Sequence, residues 1–119
     1  MKKILVIEDN ETNLYMMRFM LEENGYQVVE ARDGVEGVKL AASEVPDLIL
    51  MDMQLPLLDG YEATKQIKTD EKIKHIPIIA LTSYAMVGDK EKTLKAGCTG
   101  YIEKPINPET LMMEIEKYL

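Results

Sequence analysis

The sequence has 119 residues and carries 14 basic against 21 acidic side chains, which gives a formal net charge of -7. This length fits one domain with a hydrophobic core of its own, and the acidic balance argues against non-specific nucleic-acid binding through a basic surface. The lone Cys98 cannot form an intramolecular disulfide, and no apolar stretch approaches the ~20 residues of a membrane span, so we expect a protein of the reducing cytoplasm.

Short apolar runs alternate with helical stretches along the chain. Uninterrupted runs rich in Ile, Leu and Val are typical of strands that are buried on both faces of a parallel sheet. The predicted strands, in chain order, are Ile4–Ile7, Gln27–Ala31, Leu48–Met51, Ile78–Leu81 and Gly100–Ile102. The second strand is more polar than the others, which favours a position nearer the edge of the sheet.

Each strand is followed by a predicted helix that starts at a capping residue or ends at a glycine or proline. The helices are expected from about Glu11 to Asn24, ending at Gly25; from Asp33-Gly34 to a point before Pro46; after the capping pair Asp59 and Glu62; from about Val87 to Gly97; and after Asn107-Pro108. In the last helix, residues spaced i, i+4, i+8 form the predicted inner face, namely Leu111, Ile115 and Leu119.

This alternation predicts an α/β fold, a three-layer sandwich in which five helices cover both faces of a five-stranded parallel sheet. A flavodoxin-like strand order, 2-1-3-4-5, would put the first and third strands side by side. That order is a topological preference of such folds and does not follow from particular residues. We expect one domain over residues 1–119, with no output domain.

Polar residues follow four of the predicted strands: Glu8 and Asp9 the first, Asp52 the third, Thr82 the fourth and Lys104 the fifth. The carboxyl ends of parallel strands meet at one edge of the sheet, so these side chains should lie together. Carboxylates on neighbouring strands repel each other and require a cation. Oxygen ligands without His or Cys favour Mg²⁺, or Mn²⁺, with Asp9 and Asp52 as direct ligands and Glu8 acting through water.

A carboxylate in the position of Asp52 can also act as a nucleophile and form an aspartyl phosphate. Phosphoryl transfer requires a positioned donor and compensation of charge on the equatorial oxygens. The metal, the Lys104 ammonium and the Thr82 hydroxyl would supply that compensation. Each residue taken alone has an ordinary explanation, as a solvated acid, a surface lysine or a strand-end threonine, but their joint placement favours phosphate chemistry.

With these residues in place, the chain resembles the receiver domain of two-component response regulators over its whole length. The matching positions are Glu8-Asp9, Asp52, Pro56, Asp59-Gly60, Thr82 and Lys104-Pro105. The features most similar to single-domain regulators of the DivK cell-division type are the Glu8-Asp9-Asn10 start, Gln54 and the Lys104-Pro105-Ile106 tail.

The resemblance implies that a histidine kinase or histidine phosphotransfer protein donates a phosphoryl group from its phosphohistidine to Asp52. It also implies that the backbone carbonyl of Gln54 completes the metal shell, that Gln54 and Tyr84 flank the phosphate, and that the Lys104-Pro105 peptide is cis.

The same resemblance implies a switch. Thr82 would move toward the phosphoryl group and Tyr101 would swing inward, which remodels a face that binds a downstream protein. We expect a monomer or a weak phosphorylation-dependent dimer, a chain that modifies itself rather than turning over separate substrates, and no direct contact with nucleic acid or membrane.

Several alternatives remain open from the sequence. The chain could be a receiver segment of a longer hybrid kinase or response regulator, or a scaffold that keeps the fold without its switch. A Mg²⁺-dependent phosphatase with an aspartyl nucleophile is disfavoured because Gln54 stands where such enzymes usually have a second acid. Flavin binding is disfavoured because the loop over residues 8–13 is acidic and has no glycine.

The first helix carries a stripe of Met16, Met17 and Met20 that is predicted to face the core. Tyr15 and Phe19 lie off that stripe. We predict partly buried packing for them at the margin of the helix, with a patch for docking a partner as the second interpretation.

Overall fold

The computed structural model describes residues 1–83 and 87–119, without the side chains of residues 87 and 88. The strands are β1 Lys3–Ile7, β2 Gln27–Ala31, β3 Leu48–Asp52, β4 Ile78–Thr82 and β5 Gly100–Glu103. The helices are α1 Glu11–Glu23, α2 Gly34–Glu44, α3 Gly60–Lys68, α4 Val87–Ala96 and α5 Pro108–Glu116. The prediction that Tyr84 flanks a phosphate concerns a residue outside the described ranges.

All five strands are parallel and follow the order β2-β1-β3-β4-β5, so the predicted strand order is confirmed. Every residue of β3 and of β4 is buried, as their apolar sequences predicted. The more polar β2 lies at an edge of the sheet, and only Ala31 of this strand is fully buried.

The core lies on both faces of the sheet, because successive side chains of a strand point to opposite sides. Leu5 and Ile7 of β1 belong to the apolar cluster on one face, which α2 and α3 cover. Ile4 and Val6 belong to the cluster on the other face. That second cluster includes Leu111 and Ile115 of α5 at full burial, with Leu119 packed against it, as the helical spacing predicted.

In the part of the chain that the structure describes, four helices begin at a side chain that accepts a backbone N–H of the first turn, which satisfies a donor that has no partner within the helix. These N-caps are Asn10, Asp33, Asp59 and Asn107. Asp59 Oδ1 accepts from the Glu62 N–H at 3.0 Å, so the start of α3 is fixed directly after the loop that follows β3.

On α1, Met17 is fully buried and Met16 and Met20 are partly buried against the core, in agreement with the predicted stripe. The prediction of partial burial for the two aromatic residues is wrong. Tyr15 is 62% exposed and Phe19 is 57% exposed, because they lie on the side of the helix turned away from the sheet. No helix in the described ranges is both long and apolar enough to cross a membrane.

Candidate functional site

Three carboxylates meet at the carboxyl ends of β1 and β3. These strands are neighbours, with Ile7 opposite Met51, so the residues that follow them share one edge of the sheet. Glu8 is fully buried, Asp52 is 2% exposed and Asp9 is exposed to solvent. Carboxylate oxygens from all three lie within 4.8 Å of one another, which makes them a group that can hold a metal ion.

Lys104 brings a positive charge to these acids from the end of β5. Its Nζ lies 2.8 Å from Glu8 Oε1 and 3.1 Å from Asp52 Oδ2, and its backbone N–H donates to the Thr82 carbonyl at 2.7 Å. Burial opposes the charge on the ammonium, but the contacts with Glu8 and Asp52 outweigh it and raise the pKa of Lys104. The lysine is therefore firmly protonated between the two acids.

Glu8 is the most perturbed acid of the group. Burial, followed by the neighbouring Asp52, raises its pKa to about 7, against the lowering influence of Lys104. Glu8 Oε1 has the Lys104 ammonium as its partner at 2.8 Å, and Glu8 Oε2 accepts the Asn10 N–H at 3.2 Å. Three carboxylates beside one ammonium leave an excess of negative charge, which fits a hard divalent cation nearby.

The loop after β3 fixes Asp52 through backbone hydrogen bonds. The Gln54 N–H donates to Asp52 Oδ1 at 3.0 Å, and the Gly60 N–H donates to the Met53 carbonyl at 3.1 Å. A Cβ at Gly60 would lie 2.5 Å from the Asp52 carbonyl oxygen and 2.7 Å from Met53 Cα. Position 60 thus needs glycine because the start of α3 presses directly on the tip of β3.

The acids and Lys104 border an open cleft of about 430 Å³, which Gln54 and Ser83 also line. Gln54 lies beside Asp52, and the role of its backbone carbonyl as a metal ligand stays a prediction. The Lys104-Pro105 peptide is cis, which confirms what the resemblance implied.

Thr82 ends β4 and is fully buried. Its Oγ1 donates a hydrogen bond of 2.9 Å to Asp89 Oδ2 in the first turn of α4. The other oxygen of Asp89 accepts the hydroxyl of Tyr61 from α3. Sequence reasoning missed both partners, because no spacing rule connects a strand end with side chains on two different helices.

Tyr101 on β5 is half-buried and packs against the apolar cluster on the α2/α3 face. Burial, followed by the charge of Asp89, raises the pKa of its hydroxyl. Tyr101 also lines a second cleft of about 420 Å³ together with Lys104, Pro105 and Thr110 of α5. Both residues predicted to switch, Thr82 and Tyr101, therefore lie near Asp89.

Residues 4–116 match the family of response regulator receiver domains. The chain is a receiver domain of this family. Its curated relatives include the polar-differentiation response regulator DivK of Brucella abortus, which is 45% identical over 118 residues, or 99% of this chain and 96% of the relative. DivK of Brucella anthropi is 44% identical over the same shares of both chains.

Two solved structures show the same fold as this receiver domain. One is the receiver domain of the sensor histidine kinase PA1611 from Pseudomonas aeruginosa, with a magnesium ion in its active-site cleft; it is 40% identical, has a TM-score of 0.92, and the match covers 98% of this chain and 96% of that one. The other is the chemotaxis protein CheY4 of Vibrio cholerae, at 32% identity, a TM-score of 0.94, and coverage of 100% and 99%.

Family and fold thus agree with the resemblance read from the motifs. The receiver domain belongs to two-component signal transduction and is similar to DivK regulators. The acidic group of Glu8, Asp9 and Asp52 is a site that can hold a metal ion.

Proposed function

We propose that this receiver domain accepts a phosphoryl group on Asp52 from the phosphohistidine of a histidine kinase or histidine phosphotransfer protein. The observation that carries the proposal is the contact of Lys104 Nζ with Asp52 Oδ2 at 3.1 Å, inside a group of acids at the end of β1 and β3. A nucleophilic carboxylate, a fixed cation and a candidate metal site are the components that phosphoryl transfer requires.

In the proposed step, an Asp52 carboxylate oxygen attacks phosphorus and forms an O–P bond while the P–N bond to the donor imidazole breaks. The imidazole leaves with the electron pair of that bond and takes up a proton. The Gln54 N–H holds Asp52 Oδ1 at 3.0 Å and Lys104 approaches Oδ2, so the carboxylate is oriented before the donor arrives. Lys104 then offsets the charge that develops on the phosphoryl oxygens.

Glu8, Asp9 and Asp52 would hold a divalent cation, Mg²⁺ or Mn²⁺, with the Gln54 carbonyl as a further ligand. The ion would supply charge stabilisation for the phosphoryl oxygens. The exposed position of Asp9 suits a direct ligand at the mouth of the cleft, whereas Glu8 is buried against Lys104.

Phosphorylation adds a group with about two negative charges at pH 7 and strong acceptor oxygens. The hydroxyl of Thr82 is the proposed donor to that group, and rotation of Tyr101 would follow. Because Tyr101 lines the cleft beside α5, its movement would alter the surface that a downstream protein reads.

The proposal includes a receiver domain that modifies itself and does not turn over separate substrates. We place it in the cytoplasm, where the Cys98 thiol would stay reduced. An aspartyl-phosphate phosphatase remains the competing enzyme function, and Gln54 beside Asp52 is the residue that disfavours it.

The test is incubation with acetyl phosphate and Mg²⁺, followed by intact-mass spectrometry. Wild-type protein should gain one phosphoryl group, and Asp52→Asn should gain none. Asp47→Asn is the matched control, because Asp47 is an exposed acid just before the opposite end of the same strand. An adduct that survives in Asp52→Asn, or sustained release of phosphate from added esters, would overturn the proposal.

A further inference from the structure

We propose that Tyr61 and Asp89 are a positioning pair that holds the Thr82 hydroxyl in the unphosphorylated receiver and thereby restrains phosphorylation of Asp52. This inference rests on the proposed function. It assigns roles to one residue on α3 and one on α4, both outside the metal and phosphate cleft.

Thr82 has one hydroxyl hydrogen, and it donates that hydrogen to Asp89 Oδ2 at 2.9 Å. A hydroxyl that donates to Asp89 cannot donate to a phosphoryl oxygen on Asp52 at the same time. The bond to Asp89 is charge-assisted, which makes it stronger than a bond between neutral groups. Phosphorylation must therefore compete with Asp89 for Thr82.

Tyr61 determines how Asp89 is held. Its hydroxyl donates to Asp89 Oδ1, so each oxygen of this carboxylate has a donor of its own. The Tyr61 ring is in turn covered by Lys92, whose Nζ lies 4.2 Å from the ring centroid. The carboxylate is thus fixed between α3 and β4, and loss of the Tyr61 hydroxyl would let Asp89 rotate away from Thr82.

The pair also connects the phosphorylation site with a distant surface. Tyr61 and Lys92 line a groove between α3 and α4, together with Lys65 and Lys95. Release of Thr82 would change how Asp89 accepts the Tyr61 hydroxyl. The α3/α4 groove would therefore differ between the unphosphorylated and the phosphorylated protein. The hydrogen bonds of Thr82 and Tyr61 to Asp89 are the route for that difference.

The first test is Tyr61→Phe, which removes one hydroxyl and keeps the ring under Lys92. The apparent rate of phosphorylation by acetyl phosphate should rise roughly three- to tenfold, the range expected for one hydrogen bond. Affinity for beryllofluoride, measured by NMR titration, should rise by a similar factor. Tyr118→Phe is the matched control, because it removes a tyrosine hydroxyl that donates to the Thr99 carbonyl at 3.1 Å and leaves Tyr61 and Asp89 intact.

The second test is a double-mutant cycle with Asp89→Ala, which removes both oxygens that accept from Thr82 and Tyr61. If both residues act through Thr82, the double variant Tyr61→Phe, Asp89→Ala should be no faster than Asp89→Ala alone. An unchanged or lower rate in Tyr61→Phe, an equal rise in Tyr118→Phe, or additive effects in the double variant would each overturn the inference. Failure of wild-type protein to accept any phosphoryl group would instead overturn the proposed function, so the two failures are distinguishable.

Discussion

At the scale of single residues, the site has more carboxylates than ammonium groups and so carries an excess of negative charge. Two buried carboxylates, Glu8 and Asp52, share one ammonium from Lys104 within about one hydrogen-bond length. Burial of Glu8, followed by the neighbouring Asp52, outweighs the attraction of Lys104 and raises the pKa of Glu8. A site of this kind gains a cation at little structural cost, because the excess negative charge is already in place.

This imbalance predicts an unusual pH dependence in the presence of a chelator. The pKa of Glu8 is about 7 in the folded protein and 4.5 ordinarily, so the folded form binds its proton more tightly. The tighter proton binding stabilises the folded form, and this contribution to the free energy of unfolding is fully present below about pH 4.5 and is lost as the pH rises through about 7. Urea unfolding at about pH 5 and about pH 8 should show a loss on the order of 2 kcal/mol. Glu8→Gln should remove most of that difference. An equal change in the free energy of unfolding between the two pH values in both proteins would contradict the prediction.

Gly60 gives a second prediction at this scale. Gly60→Ala should lower the free energy of unfolding by on the order of 2 kcal/mol and reduce phosphorylation of Asp52, because a new Cβ would press on the end of β3. Gly25→Ala is the matched control: its φ of +85° strains alanine, but nothing lies within 4 Å of the new Cβ. We expect Gly25→Ala to cost about 1 kcal/mol and to leave phosphorylation unchanged. Chemical denaturation and acetyl phosphate labelling measure both effects, and similar losses of labelling in the two variants would refute this role for position 60.

At the scale of elements, capping residues next to each helix determine most helix boundaries, but the end of α2 is strained. The C-cap that follows α2 is Val45, a β-branched residue with φ 43° and ψ 64°, where glycine or asparagine is usual. The Val45 N–H still donates to the Ala41 carbonyl, so the cap is made despite the strain. The following Pro46 prevents the helix from continuing.

Relief of this strain should stabilise the protein. Val45→Asn should raise the free energy of unfolding by about 1 kcal/mol, because asparagine adopts the left-handed conformation more readily and Val45 is 51% exposed. Val35→Asn makes the same chemical change in the first turn of the same helix, at a position that is 42% exposed, and should give no gain. Urea denaturation measures the free energy of unfolding of both variants. A loss of stability in Val45→Asn would contradict strain at this cap.

At the scale of the whole molecule, strand order decides which groups meet. Because β1 and β3 are neighbours at the centre of the sheet, the acids that follow them share a site although they are more than forty positions apart in the chain. The excess of acidic side chains, with a net charge of -7, adds a general attraction for cations to the local one.

Metal binding should therefore stabilise the folded chain. Saturating Mg²⁺ should raise the thermal midpoint, because a ligand that binds the folded state alone stabilises it by about 2.7 kcal/mol at a hundredfold excess over its Kd. Asp9→Asn should lose most of this gain, whereas Asp47→Asn should retain it. Thermal melts with Mg²⁺ and with chelator provide the measurement. A gain that persists unchanged in Asp9→Asn would place the ion elsewhere.

The sequence alone determined the identity and order of the elements, because apolar runs, capping residues and strand-end polar residues are local signals. It also brought Glu8, Asp9, Asp52 and Lys104 to one edge, since parallel strands must end together. The 2-1-3-4-5 order could only be chosen as a preference of the fold until the pairing of β1 with β3 was observed.

Only the tertiary structure decided which partners the site residues contact. It buried Glu8 while it left Asp9 exposed, turned Tyr15 and Phe19 to the outside, and joined Thr82 to Asp89 and Tyr61. Such contacts link side chains on separate elements, and their existence depends on how closely helices pack on the sheet. Local sequence patterns carry the periodicity of one element at a time, and for that reason they cannot specify the distance between two.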